Sequence, residues 1–163
     1  MHETLLVADS SPLIVLAKIG RLGLLPHLAE RVVIPTAVWQ EVVMNKPASL
    51  DSRELAGASW LEVQPVTDAE SAGWRDELDL GEAEAIALAS RFPGCRLLID
   101  ERMGRRAAGQ LGVRVIGTLG LLLEAKALGL IPSLRGEIDR LLSAGHFLSE
   151  SLVQETLRSA NEG

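Results

Sequence analysis

The sequence predicts an α/β fold: a three-layer α/β/α sandwich with a central parallel sheet of about four to five strands, and further helices at the C-terminal end. Three observations carry this. Short aliphatic runs alternate with longer, helix-patterned segments. The runs are apolar throughout rather than alternating, as strands buried on both faces are. The 163 residues, 47% of them hydrophobic, suffice for one core without disulfides or a structural metal. The chain reads as a single domain over residues 1–163, with a core at about 5–128 and a helical extension at about 131–160.

The elements follow in order. Leu5-Leu6-Val7-Ala8 is a buried strand, and Ser11 to Ile19 a helix with Pro12 in its first turn and Gly20 at its end. A short helix covers Leu22 to Ala29. Arg31-Val32-Val33-Ile34 is the second strand, stopped by Pro35, and Thr36 is placed to cap a helix to about Met44. Asn45-Lys46-Pro47 breaks that helix, and Ser49 caps another to Leu55 or Ala56. Trp60-Leu61-Glu62-Val63 is a third strand. Thr67 and Glu70 fit a reciprocal capping box, and Asp79 and Glu82 fit the same logic ahead of a helix to Arg91. Arg96-Leu97-Leu98-Ile99 is a strand, and Glu101 to Leu111 a helix. Val113-Arg114-Val115-Ile116 is the last strand, and Thr118 is placed to cap a helix to Leu128. Two helices, about Leu134 to Ser143 and Ser149 to Ala160, complete the pattern.

Composition narrows the function classes. Sixteen basic against twenty-two acidic residues give a net charge of −6, which argues against gripping long duplexes by charge alone. A carboxylate cluster that holds cations would contribute negative formal charge that the metal offsets. The single cysteine, Cys95, makes no internal disulfide and is too few for a zinc knot, and it fits a reducing, cytoplasmic setting. The N-terminus lacks the basic region of a signal peptide. The longest apolar stretch, Val113 to Ile131, is interrupted by Arg114, Glu124 and Lys126, which favours a buried strand–helix pair over a membrane span.

Sites in an open parallel sheet form outside the carboxyl ends of the strands. Asp9 directly follows the first strand and Asp100 the fourth, so both emerge at one edge. Each has a competing use as a cap for the helix that follows it. Glu82 and Glu84, two residues apart, point about 200° away from each other on a helix. Glu82 has a structural use as the return partner of the Asp79 cap. Glu84 has none and sits in a run of small apolar residues, where a charge needs a partner or a metal. Glu84 is therefore preferred, with Glu82 second. Glu41 lies among apolar neighbours beside Gln40, a window that by itself reads as a solvated face.

Other chemistries fit poorly. His2, His27 and His146 have no ligand spacing, no serine stands in a Gly-x-Ser-x-Gly turn, and no phosphate-binding loop is present. Gly104, Gly109 and Gly112 are not placed as a dinucleotide fingerprint, and Ser11 stands where an aspartyl-nucleophile phosphatase would carry its second aspartate.

Four segments carry a resemblance. Val7-Ala8-Asp9-Ser10-Ser11-Pro12-Leu13-Ile14 resembles the opening of PIN domains. Ile34-Pro35-Thr36-Ala37-Val38-Trp39-Gln40-Glu41-Val42 resembles their second element, with Glu41 at the acidic position. Gly81-Glu82-Ala83-Glu84-Ala85-Ile86-Ala87-Leu88-Ala89 resembles the third, and Leu97-Leu98-Ile99-Asp100-Glu101 the fourth. The likeness runs in order from Leu5 to Leu128, and the C-terminal helices resemble a PIN-like prokaryotic branch related to the VapC toxins. The third acid is a glutamate where many members carry aspartate. The fourth motif offers Asp100 with Glu101 beside it in place of Thr-x-Asp.

The resemblance implies a Mg²⁺- or Mn²⁺-dependent ribonuclease, often a toxin held by a small antitoxin and often a homodimer. It makes Asp9, Glu41, Glu84 and Asp100 the expected catalytic and metal-binding set, with Glu82 and Glu101 as second choices. Carboxylates suit such hard cations. Ser11 is a candidate to orient Asp9 by a hydrogen bond, with a plain helix-capping role as its alternative. Arg102, Arg105 and Arg106 are candidates for substrate phosphates, with a solvated basic face as theirs. With no Tyr and two Phe, no aromatic platform for bases is evident. A non-catalytic binding module, acting through a protein partner, is the alternative function, and a small-molecule phosphohydrolase a third.

Overall fold

The computed structural model describes residues 4–45 and 50–163. In chain order the elements are β1 (Leu5–Ala8), α1 (Ser10–Lys18), α2 (Leu25–Leu28), β2 (Arg31–Pro35), α3 (Thr36–Trp39), α4 (Leu50–Ala56), β3 (Leu61–Gln64), α5 (Asp68–Ser71), α6 (Leu80–Ser90), β4 (Arg96–Leu98), α7 (Arg102–Gln110), β5 (Arg114–Ile116), α8 (Thr118–Ala127), α9 (Leu134–Ser143) and α10 (Glu150–Ser159). Short 3₁₀ turns precede α2 and follow α5, and a π-helical turn, Gln40–Met44, continues α3. The Ser49 cap, most of the Asn45–Pro47 break and His2 lie outside the described residues.

The five strands form one parallel sheet in the order β3-β2-β1-β4-β5. Parallel pairing aligns side chains of equal parity. Leu6, Ala8, Val32, Ile34 and Leu98 therefore face one core, shared with Leu13 and Leu16 of α1 and Leu122 of α8. Val7, Val33, Leu97 and Ile99 face the other, shared with Ala85, Ile86 and Leu88 of α6. Two cores on opposite faces of one sheet make the three-layer sandwich that the uniformly apolar strands predict. Helices α9 and α10 pack against α8 and one another, with Leu134, Ile138, Leu141 and Leu157 entering the first core. No helix among the described residues is long and apolar enough to cross a membrane.

The sheet order also locates the crevice. The chain leaves β1 toward β2 and β3, then returns to lay β4 on β1's other side, so the connections from β1 and β4 diverge. Ligands bind open α/β sheets at such a divergence, outside the strands' carboxyl ends. Asp9 follows β1, Asp100 lies just beyond β4, and the Asp9 N–H donates to the Leu98 carbonyl at 2.9 Å, which ties the two strand ends together.

Candidate active site

Asp9 occupies the N-cap position of α1, yet its side chain makes no capping hydrogen bond to that helix's N3 turn. It is 4% exposed. Burial, with smaller contributions from the charges of Asp79, Glu41 and Asp100, pushes its carboxyl from an ordinary 3.8 up to about 7, partly opposed by the Ser10 N–H. Ser10 Oγ, on the next residue, is buried and has no hydrogen-bond partner. Ser11 is exposed and, among the described residues, makes no bond to Asp9.

Asp100 accepts from the Thr118 N–H at 2.7 Å and from the Thr118 hydroxyl at 2.5 Å. This corrects the reading of Thr118 as a cap. Gly117 holds the cap position without a side chain, and Asp100 reaches across from the β4 end to close the start of α8. Glu101 is the cap of α7, accepting from the Gly104 N–H at 2.8 Å. Of the adjacent pair, Glu101 thus serves its own helix while Asp100 bridges two strand ends.

The glutamates of α6 divide differently from the sequence reading. Glu84 is buried and accepts from the Ala37 N–H at 3.0 Å, in the first turn of α3. It therefore has the structural partner that its window did not suggest, and it supplies the cap expected of Thr36, which is the first helical residue and makes no cap bond. Asp79 does cap α6, accepting from the Glu82 N–H at 2.8 Å. The Glu82 carboxyl faces Asp79, Asp9 and Glu101. Burial first, then a hydrogen bond with the Asp79 side chain and the charges of Asp79, Asp9 and Glu101, push it up to about 8. Asp79 is the member of the cluster that the sequence reading treated only as a cap; its signal was the three-residue spacing to Glu82, which puts both on one side of a helix start.

Glu41 belongs to the π-helical turn, a distortion that is rare and concentrated at functional sites. Its carboxylate rests on Gly81: a Cβ there would stand 2.5 Å from Glu41 Oε1. Gly81→Ala is thus expected to displace the Glu41 carboxylate while raising the propensity of α6 by roughly 1 kcal/mol. An unchanged or higher melting temperature is the predicted result, read by thermal denaturation, together with an about tenfold or greater loss of the nuclease activity that the resemblance implies. Full activity would show that Glu41 is dispensable.

Asp9, Glu41, Asp79, Glu82, Asp100 and Glu101 line one sheet edge, and among the described residues none is ion-paired. No three acidic, histidine or cysteine side chains among them are already closed around a point that could hold an ion. The donors are all carboxylate oxygens, none of them ion-paired among the described residues, and the buried Ser10 hydroxyl adjoins them. Oxygen donors of this kind are the chemistry that hard divalent cations prefer.

The basic residues also separate. Arg102 and Arg106 are exposed on α7, whereas Arg105 is half-buried. Its guanidinium lies over Gly117 beside Asp100: a Cβ on Gly117 would stand 2.6 Å from Arg105 Nη1 and 3.0 Å from Asp100 Oδ1. A groove of about 720 Å³ opens there, and its lining includes Asp100, Glu101, Arg105, Thr118, Phe147 and Glu155.

No curated protein matches the chain. A family model described as PIN domain matches residues 5–162, from the first residue of β1 to beyond α10. The PIN domain is a nuclease-type fold, and PIN nucleases typically use divalent metals. By this match over nearly its whole length, and by its five-stranded parallel sheet with carboxylates gathered at one edge, the chain belongs to the PIN-domain family.

Proposed function

We propose that the protein is a Mg²⁺- or Mn²⁺-dependent ribonuclease that hydrolyses RNA phosphodiester bonds. The observation that carries the reading is the crowding of unpaired carboxylates around buried Asp9 at the divergence of β1 and β4. Anions gathered without cations raise one another's proton affinity, and a divalent ion is the partner that relieves this.

Asp9, Asp100 and Glu41 would hold the ion, with Glu82 and Asp79 completing the set. Glu84 acts one step back: by binding the Ala37 N–H it positions the helix that carries Glu41. Thr118 orients both oxygens of Asp100. A divalent cation held by these residues would supply an activated water and offset charge on the phosphate. Arg105, beside Asp100, would take a non-bridging phosphate oxygen.

The toxin role, with a small antitoxin and a homodimer, rests on the family likeness alone. A non-catalytic binding module has one observation in its favour, the absence among the described residues of three ligands already closed on a point. The test offers single-stranded and structured RNA to wild type and Asp9→Asn with Mn²⁺, Mg²⁺ or chelator. Wild-type cleavage that chelator abolishes and Asp9→Asn lowers at least about a hundredfold is expected. Equal cleavage by both proteins, or none by wild type, sinks the nuclease. Calorimetric Mn²⁺ binding without turnover supports the module.

A further inference from the structure

The two last helices are held to the domain by unequal means. Helix α9 buries Leu134, Ile138 and Leu141 in the first core, and its buried Glu137 accepts from Arg21 Nε at 2.7 Å. Helix α10 buries one apolar side chain, Leu157, and one polar one, Thr156, whose hydroxyl only turns back to the Leu152 carbonyl. Its other residues are exposed or half-buried. A helix of ten residues is marginal in water by itself, so α10 depends on how it is docked.

Much of that docking lies past its end. Asn161, at φ +59°, takes the left-handed position of a helix stop, and the Glu162 N–H donates to the Leu157 carbonyl at 2.8 Å. The reversal carries the Glu162 side chain to the start of α9. Its carboxylate accepts from Lys126 Nζ at 2.6 Å, from the N–H groups of Leu134 at 2.8 Å and Arg135 at 3.1 Å, and from the Ser133 hydroxyl at 3.1 Å. Arg135 Nη2 donates to the Glu162 carbonyl at 2.9 Å. One residue thus joins the last turn of α8, the first turn of α9 and the end of α10. The N–H groups it takes are those a helix leaves open, at the end where the helix dipole favours an anion. Lys126 first, then these N–H groups, hold its carboxyl down at about 2, so the contact stays charged in neutral and mildly acidic solution.

Helix α10 is also a wall: Leu152, Glu155, Thr156 and Ser159 share the lining of the groove with Asp100, Arg105 and Thr118. We infer that Glu162 is a latch, and that α10, closed by it, is the movable wall of the groove beside Asp100. With the latch open, α10 undocks alone. Helix α9 keeps its Ser133 cap, its core contacts and the Glu137 pair, and the sheet is untouched. The groove then opens to water from the α10 side and the approach to Asp100 widens. This opening is independent of the chemistry at the carboxylate edge.

Hydrogen exchange read by mass spectrometry on the whole chain tests the latch. Glu162→Ala is expected to speed exchange across α10 at least about fivefold, with β1, α6 and α9 beyond its first turn held within about twofold of wild type. Glu162→Gln keeps an acceptor for α9 but loses the charge facing Lys126, and Lys126→Met removes the cation. Both should fall between wild type and Glu162→Ala. Thr156→Cys puts a thiol in the groove lining, and its labelling, above the background of buried Cys95, should speed up when Glu162→Ala is added. Unchanged α10 exchange in Glu162→Ala overturns the latch. So does exchange that rises equally in α10, the rest of α9 and the sheet, since Glu162 would then support the whole fold. Faster α10 exchange with unchanged labelling of Thr156→Cys overturns the movable wall.

Discussion

Asp9→Asn is expected to melt higher than wild type at pH 8 in chelator, and the difference should shrink as pH falls below about 7 and vanish near pH 4. The sign follows from the carboxyl's displacement from 3.8 to about 7. Between these values the folded protein keeps a proton that the unfolded chain has lost. The stability that proton contributes is fully present below about pH 4 and is lost as pH rises through about 7. At about 1.4 kcal/mol per pH unit, the displacement corresponds to at most about 4 kcal/mol, and relaxation of the site will reduce it. Asparagine carries no charge to bury, so the variant lacks this slope. Glu82 contributes a slope of the same sign, smaller in the variant because the Asp9 charge helps to raise it, so the difference reports Asp9 together with its coupling to Glu82.

A few kcal/mol in a chain of this size moves the melting temperature by roughly 5 °C or more. Saturating Mn²⁺ should reverse the order, because an ion that binds only the folded wild type stabilises it by mass action. Thermal melts at both pH values, with and without Mn²⁺, check this. Parallel pH profiles for the two proteins would mean that Asp9 is not charged within a crowded, buried site.

Glu84 and Glu82 should fail in opposite ways. Glu84→Ala leaves the Ala37 N–H without its acceptor in a buried position, a loss worth about 1–3 kcal/mol. It also frees the start of the helix that carries Glu41, so activity should fall together with stability. Glu84→Gln keeps a carbonyl oxygen at the same reach and should restore most of both. Glu82→Gln should leave the melting temperature nearly unchanged or raise it at pH 8, because a half-buried carboxylate beside Asp79 and Asp9 is removed, while cleavage drops about tenfold or more. Denaturant melts and initial rates on the three variants decide between the two glutamates. If Glu84→Gln is inactive and Glu82→Gln fully active, Glu84 is the ligand and the division made from the structure is wrong.

The family match confirms the likeness that four short segments carried, and the sheet confirms the sandwich. Both were legible because they depend on local chemistry and parity. A strand apolar at every position must be covered on both faces. An aspartate that follows such a strand must emerge at its carboxyl end, and two parallel strands put two such aspartates on one edge. Asp9 and Asp100 needed nothing more.

What the carboxylates bind was not legible, because a helix N-terminus accepts a cap from any group that packing brings to it. Thr36 and Thr118 stood at the local cap positions, yet Glu84 and Asp100 supply those bonds from 47 and 18 residues away. The same packing turned Glu82 from a presumed cap partner into a member of the acidic edge, and it drew Asp79 in with it. Phe147 lies outside every motif, and its place in the groove follows only from how α9 and α10 fold back on α8. The sequence alone determined the layers, the edge and the two aspartates that mark it. The tertiary structure decided which groups each glutamate meets, Glu84 the Ala37 N–H and Glu82 the Asp79 and Asp9 carboxyls, because those contacts join residues far apart in the chain.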